Sequence, residues 1–183
     1  MLHKDSCPEE TVSIIRKILL KFDIKLEERV HIFAKGCYSA HVWTKKFPRF
    51  RANGKGLTKA YALASAYAEF MERLQGRVQI KDEYGLMKSQ SMLFPDLELL
   101  SLDQVSFPFD ECIPYSKITL NISTSCYPFY NATRKTIECL PWDLLAVTCG
   151  TTGLCAGNSP EEAMVQGICE IFERYVARMC FVN

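Results

Sequence analysis

Leu57, Ala60, Tyr61, Ala64, Tyr67, Ala68 and Met71 recur at spacings of three and four. That periodicity predicts a helix starting near Thr58. Ala62, Ala66 and Phe70 lie on its other side, so the pattern predicts a helix buried nearly all round. A second such stretch opens at Ser159-Pro160-Glu161-Glu162. Ser159 with Glu162 reads as a capping box and Pro160 suits the first helical position, which predicts a helix to about Cys180. On that helix Met164, Val165, Ile168, Ile171, Phe172 and Tyr175 share one side, while Glu162, Gln166, Glu170 and Glu173 share an arc of about 80° on the other. One side is expected to pack and the other to be available for chemistry.

The rest of the pattern is more varied. Pro8 followed by Glu9 and Glu10 predicts a helix to about Lys21. Val30, Ile32 and Ala34 alternate with polar neighbours, and Tyr38 to Trp43 follows beyond Gly36 with aromatic and β-branched content. This predicts a strand pair. Asn53-Gly54-Lys55-Gly56 reads as a glycine-dependent turn. From Gly76 to about Tyr130, Pro95, Pro108, Pro114 and Pro128 break the chain into what read as short strands and loops. Leu144 to Val147 reads as a short buried strand or turn, and Cys149 to Asn158 as a glycine-rich loop.

The two helical stretches are copies of one device. Glu69-Phe-Met-Glu72-Arg73 recurs as Glu170-Ile-Phe-Glu173-Arg174, and the same offset of 101 residues relates Gly56 to Gly157, Thr58 to Ser159 and Ala62 to Ala163. The repeat runs over about 54–75 and 155–176. In the first copy Ser65, Glu69 and Glu72 fall within about 60° of one another. Acids spaced i, i+3 project from one face of a helix, so two such helices facing each other would gather four carboxylates.

Charge and composition narrow the function. The 183 residues carry a net charge of +1, with Lys and Arg dispersed among nearly equal numbers of Asp and Glu. That balance argues against a bulk reader of nucleic acid. No apolar run reaches the roughly 18 residues of a membrane span, and two charges interrupt Ile14 to Leu20 where a signal peptide would be continuous. A cytoplasmic protein without membrane segments is therefore expected. Nine cysteines, an odd number, with no Cys-x-x-Cys spacing, read as reduced thiols; His3, His31 and His41 add no zinc signature. Asn121-Ile-Ser and Asn131-Ala-Thr match the glycosylation sequon without a secretory context.

Burying several carboxylates demands a compensating positive charge. Arg73 and Arg174 could supply it as structural ion pairs. Mg²⁺ bridging carboxylates and nucleotide phosphates could also supply it, and glycine-rich approaches to helix N-termini suit phosphate. Neither loop has the Gly-Lys-Ser/Thr ending of a Walker A motif. The residues alone leave both readings open.

Gly54-Lys-Gly, then Ser65-x3-Glu69-x2-Glu72-Arg73, then Gly150-Thr-Thr-Gly-Leu-Cys-Ala-Gly-Asn158-x3-Glu162-x7-Glu170-x2-Glu173-Arg174 resemble the two N-terminal ATP-binding signatures of the YcaO family. The resemblance covers about Asn53 to Arg73 and Leu140 to Arg174. It implies a mixed α/β fold with two repeated strand/loop-helix units, of which residues 1–183 form an incomplete, N-terminal part. It implies Ser65, Glu69, Asn158, Glu162 and Arg174 as ATP contacts, and Glu69, Glu72, Glu162, Glu170 and Glu173 as Mg²⁺ ligands; it assigns no catalytic residue here. Ala-Asn-Gly-Lys-Gly and Cys-Tyr-Pro-Phe-Tyr are most similar to the SagD-like cyclodehydratase group. That group implies ATP- and Mg²⁺-dependent phosphorylation of backbone amides of a ribosomally made precursor peptide. The products would be azolines from Cys, Ser or Thr, in thiazole/oxazole or bacteriocin biosynthesis, with a peptide-delivering partner protein and a homodimer as candidate assemblies. The alternatives are an inactive nucleotide-binding or scaffold module of a peptide-modifying complex, or a thioamide-forming relative.

Overall fold

The computed structural model describes residues 4–75, 98–100, 124–131, 133–141 and 151–182. The chain divides into two compact units, Met1–Met87 with Thr151–Asn183, and Lys88–Gly150. The mixed α/β architecture expected from the sequence is present. Leu144 to Val147, most of the proline-broken stretch and the first part of the glycine-rich loop lie outside the described residues.

The first unit opens with α1, Pro8–Lys21, whose start has Pro at the first turn followed by Glu9 and Glu10, and whose last turn carries Lys21. Val12, Ile15 and Leu19 form its buried stripe. Asp23, with φ of 54°, takes the left-handed position that ends the helix, and the Ile24 amide donates to the Leu19 carbonyl at 3.0 Å. A three-stranded antiparallel sheet follows, β1 (Leu26–Ala34), β2 (Cys37–Thr44) and β3 (Arg51–Gly56), in that order. The β1–β2 turn passes through Gly36 at φ of 75°.

Helix α2, Lys59–Gln75, lies across β2 and β3, with α1 against it. Thr58 caps it: its Oγ1 accepts from the Tyr61 amide at 3.2 Å. Ala62, Ala66, Tyr67, Phe70, Met71 and Leu74 are its buried residues. The stripe expected to lead the packing is thus displaced, because Leu57 and Tyr61 face solvent, Leu57 with 74% of its surface exposed. The helix is not buried all round. Its Ala62–Ala66–Phe70 row faces the sheet, where Ala40, Val42, Ala52 and Phe50 complete the core. Phe50 and Phe70 meet with ring centroids 4.7 Å apart. The Tyr67 hydroxyl, at the end of a buried ring, accepts from Arg16 at 2.9 Å and donates to Glu28 at 3.0 Å, joining α1, α2 and β1.

Asn53-Gly54-Lys55-Gly56 is a strand, not the turn its glycines suggested. The glycines serve close approach instead: a Cβ on Gly54 would lie 2.2 Å from both the Ala62 carbonyl oxygen and the Ala66 amide nitrogen, and one on Gly56 would lie 2.6 Å from the Ala62 nitrogen. Only glycine lets the backbone of β3 sit this near α2.

Helix α3, Pro160–Val182, completes this unit. Its apolar side does not pack as the periodicity suggests: Met164, Val165, Ile168, Ile171, Phe172 and Tyr175 are all exposed, and among the described residues of α3 Gly167 is the buried one.

The second unit contains the antiparallel sheet of β4 (Glu98–Leu100), β5 (Thr124–Asn131) and β6 (Thr136–Pro141). Strand β4 pairs with β5 only through Thr124–Cys126, so Pro128 falls beyond β4, where its missing N–H disrupts no ladder between them. The Asn131 side chain builds the β5–β6 turn, its Oδ1 accepting from the amides of Thr133 (3.1 Å) and Arg134 (3.0 Å).

The β3–α2 crossing yields a direct test. Gly54→Ala forces backbone against backbone and is expected to cost about 2–3 kcal/mol in urea unfolding. Lys55→Ala, on the exposed side of the same strand, is expected to stay within about 0.5 kcal/mol.

Candidate functional site

The loop Thr151–Ser159 approaches α3 as β3 approaches α2. A Cβ on Gly157 would lie 2.4 Å from the Ala163 nitrogen, matching the contact of Gly56 with the Ala62 nitrogen one repeat earlier. At the next equivalent crossing the small residue changes sides. Gly54 faces Ala66 in the first copy; in the second the corresponding pair is Cys155 and Gly167, and a Cβ on Gly167 would lie 2.9 Å from the Cys155 Sγ. Both helices are thereby drawn in close.

An acidic cluster lies between α2 and α3. Burial, first, and then the charges of Glu69 and Glu170 push the Glu72 carboxyl up to about 7, against the opposing pull of Arg73. The neighbouring Cys155 thiol is pushed up by burial and by the charges of Glu72 and Glu170, while a backbone hydrogen bond from Gly167 opposes the rise. Two arginines hold the rim. Arg73 pairs with Glu69 one turn away and also donates to the Arg51 carbonyl at 3.0 Å, which ties the pair to β3. Arg174 Nη2 reaches Glu170 Oε1 at 3.3 Å, and the Gly153 amide donates to Glu170 Oε2 at 3.4 Å. Glu72 is left with like charges as its main neighbours.

A second polar group forms at the start of α3. The Glu162 amide donates to Ser159 Oγ at 3.2 Å, half of the expected capping box. The other half is redirected. The Glu162 carboxylate, with 11% of its side chain exposed, accepts from Lys4 Nζ at 2.9 Å, Asn158 Nδ2 at 3.1 Å and the Asp5 amide at 3.2 Å. Burial pushes this carboxyl up, but those three donors outweigh it and the net position is below the ordinary value. Asn158 Oδ1 accepts from Thr11 Oγ1 at 2.8 Å, and Ser159 donates to Asp5.

The residues singled out in the sequence therefore fall into three sets. Glu69, Glu72 and Glu170 converge, with Arg174 on Glu170. Asn158 and Glu162 sit together, two helical turns away along α3, held by the N-terminal segment. Ser65 and Glu173 are exposed. Sequence reasoning missed Cys155, Gly153, Lys4, Asp5 and Thr11. The repeat offset, which pairs Cys155 with Gly54, was the one available signal for Cys155; nothing local marks the N-terminal segment as a partner of α3.

Among the described residues no three His, Cys, Asp or Glu side chains are placed to hold one ion by themselves. Magnesium commonly takes only one or two carboxylates and completes its shell with phosphate oxygens and water. The carboxylate pair Glu72 and Glu170 fits that donor set, and the crowding of acids around Glu72 is the feature that a hard cation would relieve.

The family model described as YcaO cyclodehydratase, ATP- and Mg²⁺-binding, matches residues 53–183. An uncharacterized protein of Haemophilus influenzae is 26% identical over 200 residues, covering 96% of this chain and 34% of its own length. The ribosomal protein S12 methylthiotransferase accessory factor YcaO of Escherichia coli is 24% identical, covering 94% of this chain and 34% of its own. The chain thus spans about a third of these relatives. Among solved structures, a heterocyclase in complex with substrate and cofactor superposes with a TM-score of 0.62 at 17% identity, over 93% of this chain and 28% of that one. YcaO from Methanopyrus kandleri, bound with AMPPCP and Mg²⁺, gives a TM-score of 0.56 at 19% identity, over 90% and 42%. The shared fold is the finding in both cases. No helix among the described residues is long and apolar enough to cross a membrane.

The raised Glu72 carboxyl makes stability depend on pH. Between the ordinary value of 4.5 and about 7, the folded chain keeps a proton that the unfolded chain has released, so the Glu72 contribution falls as pH rises through that window. Glu72→Gln removes this loss. Its melting temperature is expected to exceed wild type above pH 7 and to converge with it towards pH 4.5; thermal melts across that range check this, and a constant difference would refute it.

Proposed function

This chain belongs to the YcaO family, and we propose that it forms the nucleotide- and metal-binding part of an enzyme that phosphorylates peptide backbone amides at the expense of ATP. The finer reading is azoline formation. A Cys thiol or a Ser or Thr hydroxyl of a precursor peptide adds to the carbon of the preceding amide, and the former carbonyl oxygen takes the γ-phosphoryl group, releasing ADP. Loss of that oxygen as phosphate, with the amide proton, leaves the ring C=N bond. Hydroxide leaves poorly and phosphate leaves well, which is why the reaction needs ATP.

The observation that carries this reading is the convergence of Glu69, Glu72 and Glu170, with Glu72 short of positive charge. In the proposal Glu72, Glu170 and Glu173 hold Mg²⁺ against the triphosphate, aided by Glu69 and Glu162. Ser65, Asn158 and Arg174 meet the nucleotide, with Glu69 and Glu162 at the border between the two roles. Bound Mg²⁺ would neutralise charge on the transferring phosphoryl group. Arg174, 61% exposed, and the open Glu173 have room to turn towards a ligand. The reading includes a cytoplasmic setting, a peptide-delivering partner protein and a homodimer as a candidate assembly. Within the same family, sulfide addition would give a thioamide instead. Mass spectrometry of the product peptide separates the two, as loss of water per ring or exchange of oxygen for sulfur.

A second reading rests on a specific observation: Ser65 and Glu173 face solvent rather than joining the cluster. An inactive nucleotide-binding or scaffold module would look like this.

Glu72→Gln and Glu173→Gln separate the readings when the chain is assayed together with the remaining part of the family domain. For a catalytic metal site, peptide-dependent ATP hydrolysis is expected to fall about a hundredfold or more with either change. Unchanged turnover in both variants would instead favour the scaffold.

A further inference from the structure

We propose that His31 and His41 form a two-histidine site for a borderline divalent transition ion, of the class of Zn²⁺ or Ni²⁺, on the outer face of the first sheet. This goes beyond the nucleotide reading and does not rest on it. The ion differs from the Mg²⁺ of that reading, because Mg²⁺ takes oxygen donors whereas imidazole nitrogen suits Zn²⁺, Ni²⁺ and Cu²⁺.

The pairing register builds the site. Ala40 and Val42 of β2 and Ala52 of β3 are fully buried under α2, so alternation along the strands turns His41 and Asn53 to the opposite face. His41 lies directly across from Asn53 on β3 and from Arg29 on β1. His31 is two positions further along β1, on the same face, and is therefore a diagonal neighbour of His41. Their ring centroids are 5.4 Å apart, with the planes at 82°. Two imidazoles on one tetrahedral ion, each with its nitrogen at about 2.0–2.1 Å, have centroids about 5 Å apart. The strands thus hold the rings at chelating distance, and only the soft ring torsions have to turn.

Asn53 adds an independent observation. His41 Nδ1 donates to Asn53 Oδ1, which keeps the ring proton on that nitrogen and leaves Nε2 as the one that can accept an ion. A hydrogen bond of this kind fixes the tautomer and direction of a ligating histidine. The His31 ring meets those of Phe33 and His41, and among the described residues no hydrogen bond engages its nitrogens. Both are reachable, His31 being exposed and His41 half-buried. Charge sets the rest of the shell. Arg29 stands opposite His41, Lys55 opposite Ser39 and Arg51 opposite Trp43, while Glu27, the acid on this face, accepts from Trp43 Nε1 at 3.0 Å. Those cations disfavour a bare dication and favour an anion beside it. No third His, Cys, Asp or Glu joins the pair among the described residues, so the ion keeps open positions for water, an anion or a donor from another molecule.

Histidine side-chain NMR on the ¹⁵N-labelled chain, titrated with ZnCl₂ alone, tests this. The chain has three histidines, so each imidazole can be assigned by substitution. The signals of His31 and His41 are expected to move together with one midpoint, His41 keeping its proton on Nδ1, and His3 to respond only at higher concentration. His31→Gln is expected to weaken Zn²⁺ binding at His41 at least about tenfold, and His41→Gln to do the same at His31, because a chelate becomes a single contact. Asn53→Ala is expected to weaken it about tenfold, whereas Asn53→Asp, which keeps an acceptor for Nδ1, retains binding. Imidazoles that stay unmoved with Zn²⁺ in excess over the nine thiols would overturn the proposal. So would His31 and His41 titrating independently of each other, a response of His3 equal to theirs, or the same shifts with MgCl₂. Neither ATP nor turnover enters the measurement, so the outcome is separate from that of the nucleotide reading.

Discussion

Backbone proximity between each helix of the repeat and the segment before it governs this part of the molecule. Gly54 and Gly56 bring β3 onto α2, and Gly157 and Gly167 bring the Thr151–Ser159 loop onto α3. No side chain larger than hydrogen fits at these crossings without displacing main-chain atoms or the Cys155 thiol. The acids are carried on the helices so positioned. Glu69 and Glu170 raise the Glu72 carboxyl through their like charge, so the acids of the two helices are electrostatically coupled.

That arrangement stores an electrostatic deficit in one place. Glu69, Glu170 and Glu162 have cationic partners in Arg73, Arg174 and Lys4, whereas Glu72 is crowded mainly by like charges. A purely structural network would be expected to match each buried acid with a donor, as the Glu162 group does with Lys4, Asn158 and the Asp5 amide. The contrast between the two groups, whose α3 members Glu162 and Glu170 are only two turns apart, favours a ligand role for the cluster at Glu72.

How much of this was legible follows the physics of each signal. The helix from Pro8 to Lys21, the strand pair around Gly36 and the two acidic helices were readable because capping, alternation and i, i+3 spacing are local. The sequence of β3 reads as a turn because glycine marks both turns and close approaches, and only the position of α2 decides between them. The packed face of α2 differs from the one its periodicity predicts because Leu57 and Tyr61 are larger apolar residues than Ala62 and Ala66, yet the backbone of β3 approaches only the small ones. The apolar side of α3 is expected from its periodicity to be buried, and the structure leaves Met164, Val165, Ile168, Ile171, Phe172 and Tyr175 exposed instead. Periodicity cannot say whether these residues cover that side. The ties from Lys4, Asp5 and Thr11 to α3 span roughly 150 positions and leave no local trace.

The central claim is that the acids around Glu72 form a cation-dependent nucleotide site. Titration calorimetry of ATP into the chain combined with the remaining part of the family domain tests it most directly, run once with Mg²⁺ and once with EDTA. Triphosphate and carboxylates are both anionic, so the account predicts binding with Mg²⁺ and its loss in EDTA. Equal affinity under both conditions would contradict it.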